Sequence, residues 1–572
     1  MGSAHDGYYD LGSFHRDIST HDPDAQRWFD RGLVWCYAFN HEEAARCFDK
    51  VVALDPSCAM GYWGLAYALG PNYNKPWQLF DPDDLKTTLA RVHRAIQHAL
   101  ARAGSATPFE QALVHAIPFR HPRDPDDRDY ARYNRAYADA MAKVHRQFPH
   151  DLDAVTLYAD ALMNLTPWGL WDLRTGKPGP GSRVVEAKAV LDAALHAQED
   201  AANAHPGLLH MYIHMIEMSG APELGIPPAD RLRDLVPDAG HLRHMPSHLD
   251  ILIGDYRRAV ASNAAACTAD ELYYRREGGM NFYTLYRLHD YHSLIYAAMF
   301  NGQSKFALDA AERMEKHVPE ELLRVESPPM ADWLESFRSA SMHVLVRFGR
   351  WDEILEMPLP DDQKLYCVTT AMIHYAKGVA LAVKGLVEDA EGQRKALRAA
   401  VERVPATRME YPNKCSDVLA VAEAMLDGEL EYRKGNYEVA FEHLRKAVEL
   451  DDALNYAEPW AWMQPTRHAL AALLLEQGHV EEAAHAYAAD LGFDDTLPRA
   501  RQHPNNVWAL HGFHECLVKL GRKAEAKILE PQLKLALAVA DVPVTASCYC
   551  RGAATAVPVQ SNSSVCCKAD GV

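Results

Sequence analysis

Three stretches of this chain hold histidines at spacings suited to metal ligation. They read HPGLLHMYIHMIEMSG, AGHLRHMPSHLDILIGDY and LYRLHDYHSLIYAAMFNG. The first carries His205, His210 and His214, the second His241, His244 and His248, and the third His289 and His292. A neutral imidazole offers a lone pair on one nitrogen and an N–H on the other. Buried rings need partners for both. A metal ion satisfies several lone pairs together, and carbonyls or carboxylates take the N–H groups. Glu217 follows His214 by three residues and shares its helix face. It is expected to accept a ligand's N–H, to act as an acid or base, or to ligate directly. Asp290, next to His289, is expected to serve in the same way.

All-nitrogen sites suit copper, zinc, iron and nickel. Six to eight imidazoles exceed what one tetrahedral zinc uses. No carboxylate is placed for a two-histidine, one-carboxylate iron site, unless Glu217 serves. Met211, Met215, Met218 and Met245 are interleaved with the histidines. Thioethers suit Cu(I), although core filling is the more common role of such methionines. Copper, as two or more ions, is therefore the first expectation, with zinc or iron as alternatives. Such a centre could bind O2 and oxidise a small organic substrate, making the protein a metal-dependent oxidoreductase. A scaffold that grips a peptide or protein partner without catalysis is the alternative from another class. Peptide grooves usually present Lys, Arg and Asn, whereas these stretches present His, Met and Tyr. A zinc-dependent hydrolase with Glu217 as base is the third reading.

The spacing of these residues fixes the elements that must carry them. His210 and His244 are 34 residues apart, as are His214 and His248. Thirty-four is the period of the tetratricopeptide repeat, a helix-turn-helix unit. A pair four residues apart lies on one helix face, and stacked helices sit about 8–10 Å apart. Imidazoles from adjacent repeats can therefore share one volume. The third pair, His289 and His292, falls outside the 34-residue register, as a longer loop at Glu277-Gly278-Gly279 would require.

Other segments carry the same repeat. AQRWFDRGLVWCYAFNHEEAARCFDKVVALDP places Trp28, Gly32, Ala44, Phe48 and Pro56 at repeat positions. Gly378 and Ala390, then Gly428, Ala440, Leu444 and Ala447, then Trp508, Gly512 and Ala524 repeat that pattern. Alternation of period two is absent, so the fold is predicted to be all-α. The expected architecture is a right-handed α-solenoid of tetratricopeptide-like hairpins, curved around a central cavity. The expected divisions are a leader (1–24), N-terminal repeats (25–200), a histidine-rich centre (201–302), C-terminal repeats (303–540) and a cysteine-containing disordered tail (541–572).

The 572 residues carry a formal charge of -19. That acidity argues against nucleic acid and anionic membranes as partners. No apolar run reaches the length of a transmembrane helix. The start, MGSAHDGYYDLGSFHRD, has no apolar core for a signal peptide. Isolated cysteines fit core thiols in a reduced, cytoplasmic compartment. The tail holds Cys548, Cys550, Cys566 and Cys567, which together could gather a soft metal. Trp63, Asn72, Tyr73, Asn74, Trp77, Trp168 and Trp171 interrupt the early repeats. They either wall a substrate cavity or plug the solenoid's interior. No phosphate loop, nucleophile elbow or Cys-His nucleophile signature is found.

The words WCYAFNHEEAARCF, CAMGYWGLAYALGPNYNKPW, HPGLLHMYIHMIEMS, HLRHMPSHLDIL and YAEPWAWMQPTR complete the pattern. With them, roughly residues 8–530 resemble the large, mainly microbial tetratricopeptide-repeat proteins with a histidine-rich centre. HMPSH is the most specific part. Where that family reads like His-Asn-x-x-His, this chain has His289-Asp290-Tyr291-His292. The resemblance implies an all-helical repeat fold with a metal site and leaves the reaction open.

Overall fold

The computed structural model describes residues 7–551, except 198 and 203. Helices begin where the sequence supplies caps. Asp22 accepts from the backbone N–H groups of Asp24 and Ala25, and a proline opens the Pro23–Tyr37 helix. Three residues later Asn40 caps His41–Leu54. These two helices form the first hairpin. A Cβ on Gly32 would meet the Phe48 ring at 2.8 Å, so only glycine lets the two helices approach this closely. The same contact recurs between Gly428 and Leu444, at 2.6 Å. It joins Cys415–Arg433 to Tyr437–Ala453.

Further hairpins pair Cys367–Val383 with Val387–Val401, Thr466–Glu476 with Val480–Leu491, and Val507–Lys519 with Lys523–Leu537. Among the described residues, the β-structure is two two-residue pairings, Trp171–Asp172 with Lys177–Pro178 and Met409–Glu410 with Asn413–Lys414. The fold is an all-α solenoid of tetratricopeptide-like hairpins. No described helix is long and apolar enough to cross a membrane.

Burial separates inner from outer helices. Pro82–Arg102 buries one stripe, Leu85, Leu89, Val92, Ala95, Ile96 and Ala99. Every residue of Ala59–Ala68 and of Pro206–Glu217 is buried. A helix apolar all round belongs to the interior, and here the solenoid supplies that interior by curling. Its N-terminal repeats reach the centre where Phe282 N–H donates to Glu42, at 3.2 Å. Its C-terminal repeats reach it where Trp508 Nε1 donates to the Met299 carbonyl, at 2.7 Å.

The expectation of a disordered tail needs correction over its described part, and the other end is packed as well. The described part of the leader is tied down. Tyr9 and Leu11 are buried, the Asp10 N–H donates to Asp238 (2.7 Å), and the Ser19 N–H donates to Glu110 (2.6 Å). Tyr8 and Tyr9 pack edge-on against Trp28 and Trp35, which the leader's polar composition conceals. Residues 541–551 are likewise packed. Asp541 accepts from the N–H groups of Ser304 and Lys305 at the start of Ser304–Lys316 (2.7 and 2.9 Å). Ser547 is buried and donates to the His468 carbonyl, 2.7 Å away. Cys548 and Cys550 are joined in a disulfide, so neither thiol is free for a soft metal. Cys566 and Cys567 lie outside the described residues.

Candidate metal centre

Three chain segments carry the eight histidines. Pro206–Glu217 opens with Pro206 at its first turn and presents His210 and His214 four residues apart. The second segment is broken. Gly240–His244 ends at Met245, and Pro246, lacking an N–H, starts Pro246–Ile253. His241 and His244 precede that break and His248 follows it. Thr284–Phe300 carries His289 and His292.

Six of these rings form one continuous cluster. Ring centroids are 4.9 Å apart for His210–His214 and 5.0 Å for His210–His241. They are 5.6 Å apart for His214–His248, 4.6 Å for His244–His248 and 4.4 Å for His244–His289. Three overlapping sets have donor atoms all within 4.8 Å of one another: His210, His214 and His241; His241, His244, His289 and Asp290; and His214, Glu217, His248 and Glu458. The 34-residue register holds for His214 and His248. His210 instead packs on His241, one turn before His244.

Two of the expected ligands are elsewhere. His205 is the N-cap of its helix. Its Nδ1 accepts from the Leu208 N–H at 3.1 Å, and its Nε2 faces Asp153 at 3.1 Å. Both nitrogens are taken, so the ring cannot also reach the cluster. His292 lies a helical turn beyond His289 and points away from it, with Nε2 2.9 Å from the Met463 sulfur. Three residues on a helix rotate a side chain by about 300°, some 60° short of a full turn, enough to separate the two rings.

Hydrogen bonds fix the tautomers of four cluster rings. His210 Nδ1 lies 2.6 Å from the Tyr37 carbonyl, and His214 Nδ1 lies 2.8 Å from Glu217 Oε1. His248 Nδ1 lies 2.6 Å from Glu217 Oε2, and His244 Nδ1 lies 2.6 Å from Asn263 Oδ1. The Asn263 amide nitrogen donates to the Ala259 carbonyl, so its oxygen is what faces His244. Each partner is an acceptor, so each Nδ1 carries the proton and each Nε2 carries the lone pair. Nε2 of His210, His214 and His289 and both nitrogens of His241 are buried without a hydrogen-bond partner among the described residues. Nε2 of His244 and of His248 face each other at 2.7 Å.

The electrostatics favour uncharged rings. Burial pushes His214 down to about 3 and His244 to about 4. Burial, reinforced by neighbouring imidazoles, holds His210, His241, His248 and His289 well below the usual histidine range. Glu217 and Glu458 share one corner, and His248 Nδ1 is 3.3 Å from Glu458 Oε2. Burial raises both carboxyls, and Glu217 raises Glu458 further, so the pair's proton rests on Glu458. Asp290 is fully buried, with an oxygen 3.6 Å from His244 Nδ1. Neutral imidazoles beside one ionised carboxylate are the protonation state that ligates transition metals.

Aromatic rings close the centre. Phe39 lies 4.4 Å from His210, 5.5 Å from His241 and 5.9 Å from His214, ring to ring. Its φ of 57° is left-handed, a conformation costing a non-glycine residue roughly 1–2 kcal/mol. Tyr73 packs 4.9 Å from His214 and stacks on Trp168, and Tyr286 packs 5.0 Å from His241. Tyr73 and Trp168 thus wall the site, and Trp171 Nε1 donates to the Met215 carbonyl behind it (2.7 Å). Trp63 and Trp77 fill the interior against Tyr67 and Phe80. Met211, Met215, Met218 and Met245 belong to the apolar core.

Sequence reasoning missed Phe39, Asn263, Tyr456 and Glu458. Phe39 and Glu458 sit in WCYAFNH and YAEPWAWMQPTR, words already distinctive in the chain. A charged residue inside an aromatic, non-helical stretch was the available signal for Glu458.

No protein-family model matches the chain, and no curated protein matches it by sequence. Among solved structures it is similar to yeast Tom70, at 11% identity, covering 90% of this chain and 93% of that one, with a TM-score of 0.26. It is also similar to Naa15/Naa10 bound to HypK-THB, at 12% identity, covering 90% and 70%, with a TM-score of 0.21. The P58(IPK) TPR domain matches at 11% identity over 87% and 99%, with a TM-score of 0.19.

Proposed function

We propose that the six clustered histidines hold two copper ions, and that the protein is a copper-dependent oxidoreductase acting on a small organic substrate with O2. The observation that carries this reading is the set of bare, buried Nε2 atoms turned on one another. Unpartnered imidazole nitrogens are costly in an interior. A cation among them removes that cost. His210, His214 and His241 suit one ion, and His244, His248 and His289 the other. Copper would supply electron transfer and a place for O2 to bind.

The chain's own residues have definable work around that centre. The Tyr37 carbonyl, Glu217 and Asn263 hold four rings in the tautomer that leaves Nε2 available. Glu217 and Glu458 keep a proton beside His248, where a substrate's proton could be taken up or returned. Phe39, Tyr73 and Tyr286 exclude water from one side. A small cavity lined by His248, Ser293, Tyr296, Tyr456 and Glu458 adjoins the other side.

The hairpin architecture favours a second reading, a scaffold that binds a peptide or protein partner without catalysis. The zinc-hydrolase reading has less support. Both Glu217 oxygens face imidazole N–H groups, which leaves neither turned toward a water to activate. Elemental analysis separates these readings after expression with copper, zinc and iron supplied. At least two copper ions per chain are expected. A metal-free chain would favour the scaffold, and one zinc per chain the hydrolase.

A further inference from the structure

His292 was expected in the histidine cluster and is not there, yet it is not idle. It enters a second buried pocket with Met463, His343, Glu410, Cys415 and Met372. The pocket encloses a cavity of about 20 Å³, room for one water-sized occupant. His292 Nδ1 lies 3.8 Å from Glu410 Oε1, beyond hydrogen-bond reach. Its Nε2 lies 2.9 Å from the Met463 sulfur. The sulfur accepts there when Nε2 carries the ring proton; in the other tautomer both atoms present lone pairs, the arrangement that a soft cation takes. His343 is buried against Trp462, and its Nδ1 has no hydrogen-bond partner among the described residues.

We propose that His292, His343 and Met463 form a second, mononuclear site for a soft monovalent cation of the Cu(I) type, separate from the six-histidine centre. The donor set decides the class. Imidazole and thioether are neutral, soft or borderline ligands, and hard cations such as Mg2+ or Ca2+ take oxygen donors instead. A neutral set in an apolar pocket suits a single positive charge better than a double one. Glu410, near His292, is the carboxyl that can balance the ion's charge by losing its proton. An ion about 2.1 Å from the nitrogen and about 2.3 Å from the sulfur, at a tetrahedral or trigonal angle, requires these two atoms to part by about 0.7–0.9 Å. Methionine, unbranched and flexible, gives that readily.

This site shares two elements with the six-histidine centre. His289 and His292 stand on one helix, and Glu458 and Met463 on one connecting segment. Neither site uses a ligand of the other, so each can be tested alone.

The test uses the full chain, stripped of metal and titrated anaerobically with Cu(I) against a competing chelator. Wild type is compared with Met463→Leu and His343→Gln, with X-ray absorption at the copper edge. Met463→Leu preserves volume and folds. Wild-type copper is expected to show a sulfur ligand. Met463→Leu should lose it and bind one fewer Cu(I), or bind that ion at least tenfold more weakly. The nitrogen signal of the other ions should remain. His343→Gln should weaken the same ion only. Wild-type copper without sulfur overturns the proposal, as does a sulfur ligand or full Cu(I) count retained in Met463→Leu. The wild-type sulfur signature needs no variant, so a misfolded variant would not spare the proposal. It also stands or falls whether or not the six-histidine centre takes copper.

Discussion

His244 and His248 turn their Nε2 atoms toward each other at 2.7 Å, while their Nδ1 atoms face Asn263 and Glu217. Neither Nε2 has a proton to share, because each ring has given its proton to an acceptor on its far side. The pair is a built opening for a cation. Each prediction below follows from that arrangement or from its surroundings.

His248→Ala removes one half of this opening. Bound metal is expected to fall by at least one ion per chain, and any oxidase activity should fall with it. The metal-free variant should unfold within a few degrees of the metal-free parent, because repeats on both sides stay packed. Elemental analysis and thermal unfolding check this. Full metal content in a folded His248→Ala would place the ligands elsewhere.

Glu217→Gln keeps the shape of the corner and removes its negative charge. Glu217 orients both His214 and His248. Loss of such an acceptor typically lowers metal affinity about 10–100-fold. Competition titration with a chelator measures it, and unchanged affinity would show that the carboxylate has no part in orienting the rings.

His205→Ala should separate capping from ligation. The residue caps its helix, so the variant should lose about 1 kcal/mol of stability and keep its full metal content. Denaturant unfolding together with elemental analysis reads both quantities. A loss of metal would return His205 to the ligand set.

Acid should destabilise the metal-free protein. The cluster histidines have folded values below 6.5, their value in the unfolded chain. Above pH 6.5 neither state holds the extra protons, and this stability is fully present. Below it only the unfolded chain takes them up, and each buried imidazole removes about 1.4 kcal/mol per pH unit until its folded value is reached. The raised Glu217–Glu458 pair has the opposite sign, its contribution being lost as pH rises. One retained proton there is outweighed by six imidazoles. Urea midpoints for the metal-free protein should therefore fall clearly from pH 7.5 to pH 5.5. A flat profile would mean that the rings are not buried as neutral groups.

Much of this protein was legible in its sequence. Small residues at Gly32 and Gly428, the 34-residue interval and the absence of two-residue alternation specified helical hairpins, because helix packing leaves a local, periodic trace. His210 and His214, four residues apart, could only share a helix face, and His244 and His248 stay together although the break at Met245–Pro246 puts them on two short helices. Glu217 was legible beside His214 for the same reason. Direction was not legible. His289 and His292 look equivalent in sequence, yet one helical turn sends the first to the cluster and the second to Met463. His205 reads as a ligand in sequence and folds as a cap, because Pro206 starts the helix immediately after it. Glu458 and Tyr456 reach the centre only through the closure of the solenoid, and Asn263 through the neighbouring helix of the same hairpin. Periodicity records which residues share a face. Which face meets which, across more than 200 residues of chain between His214 and Glu458, is decided by the packing that brings the repeats around.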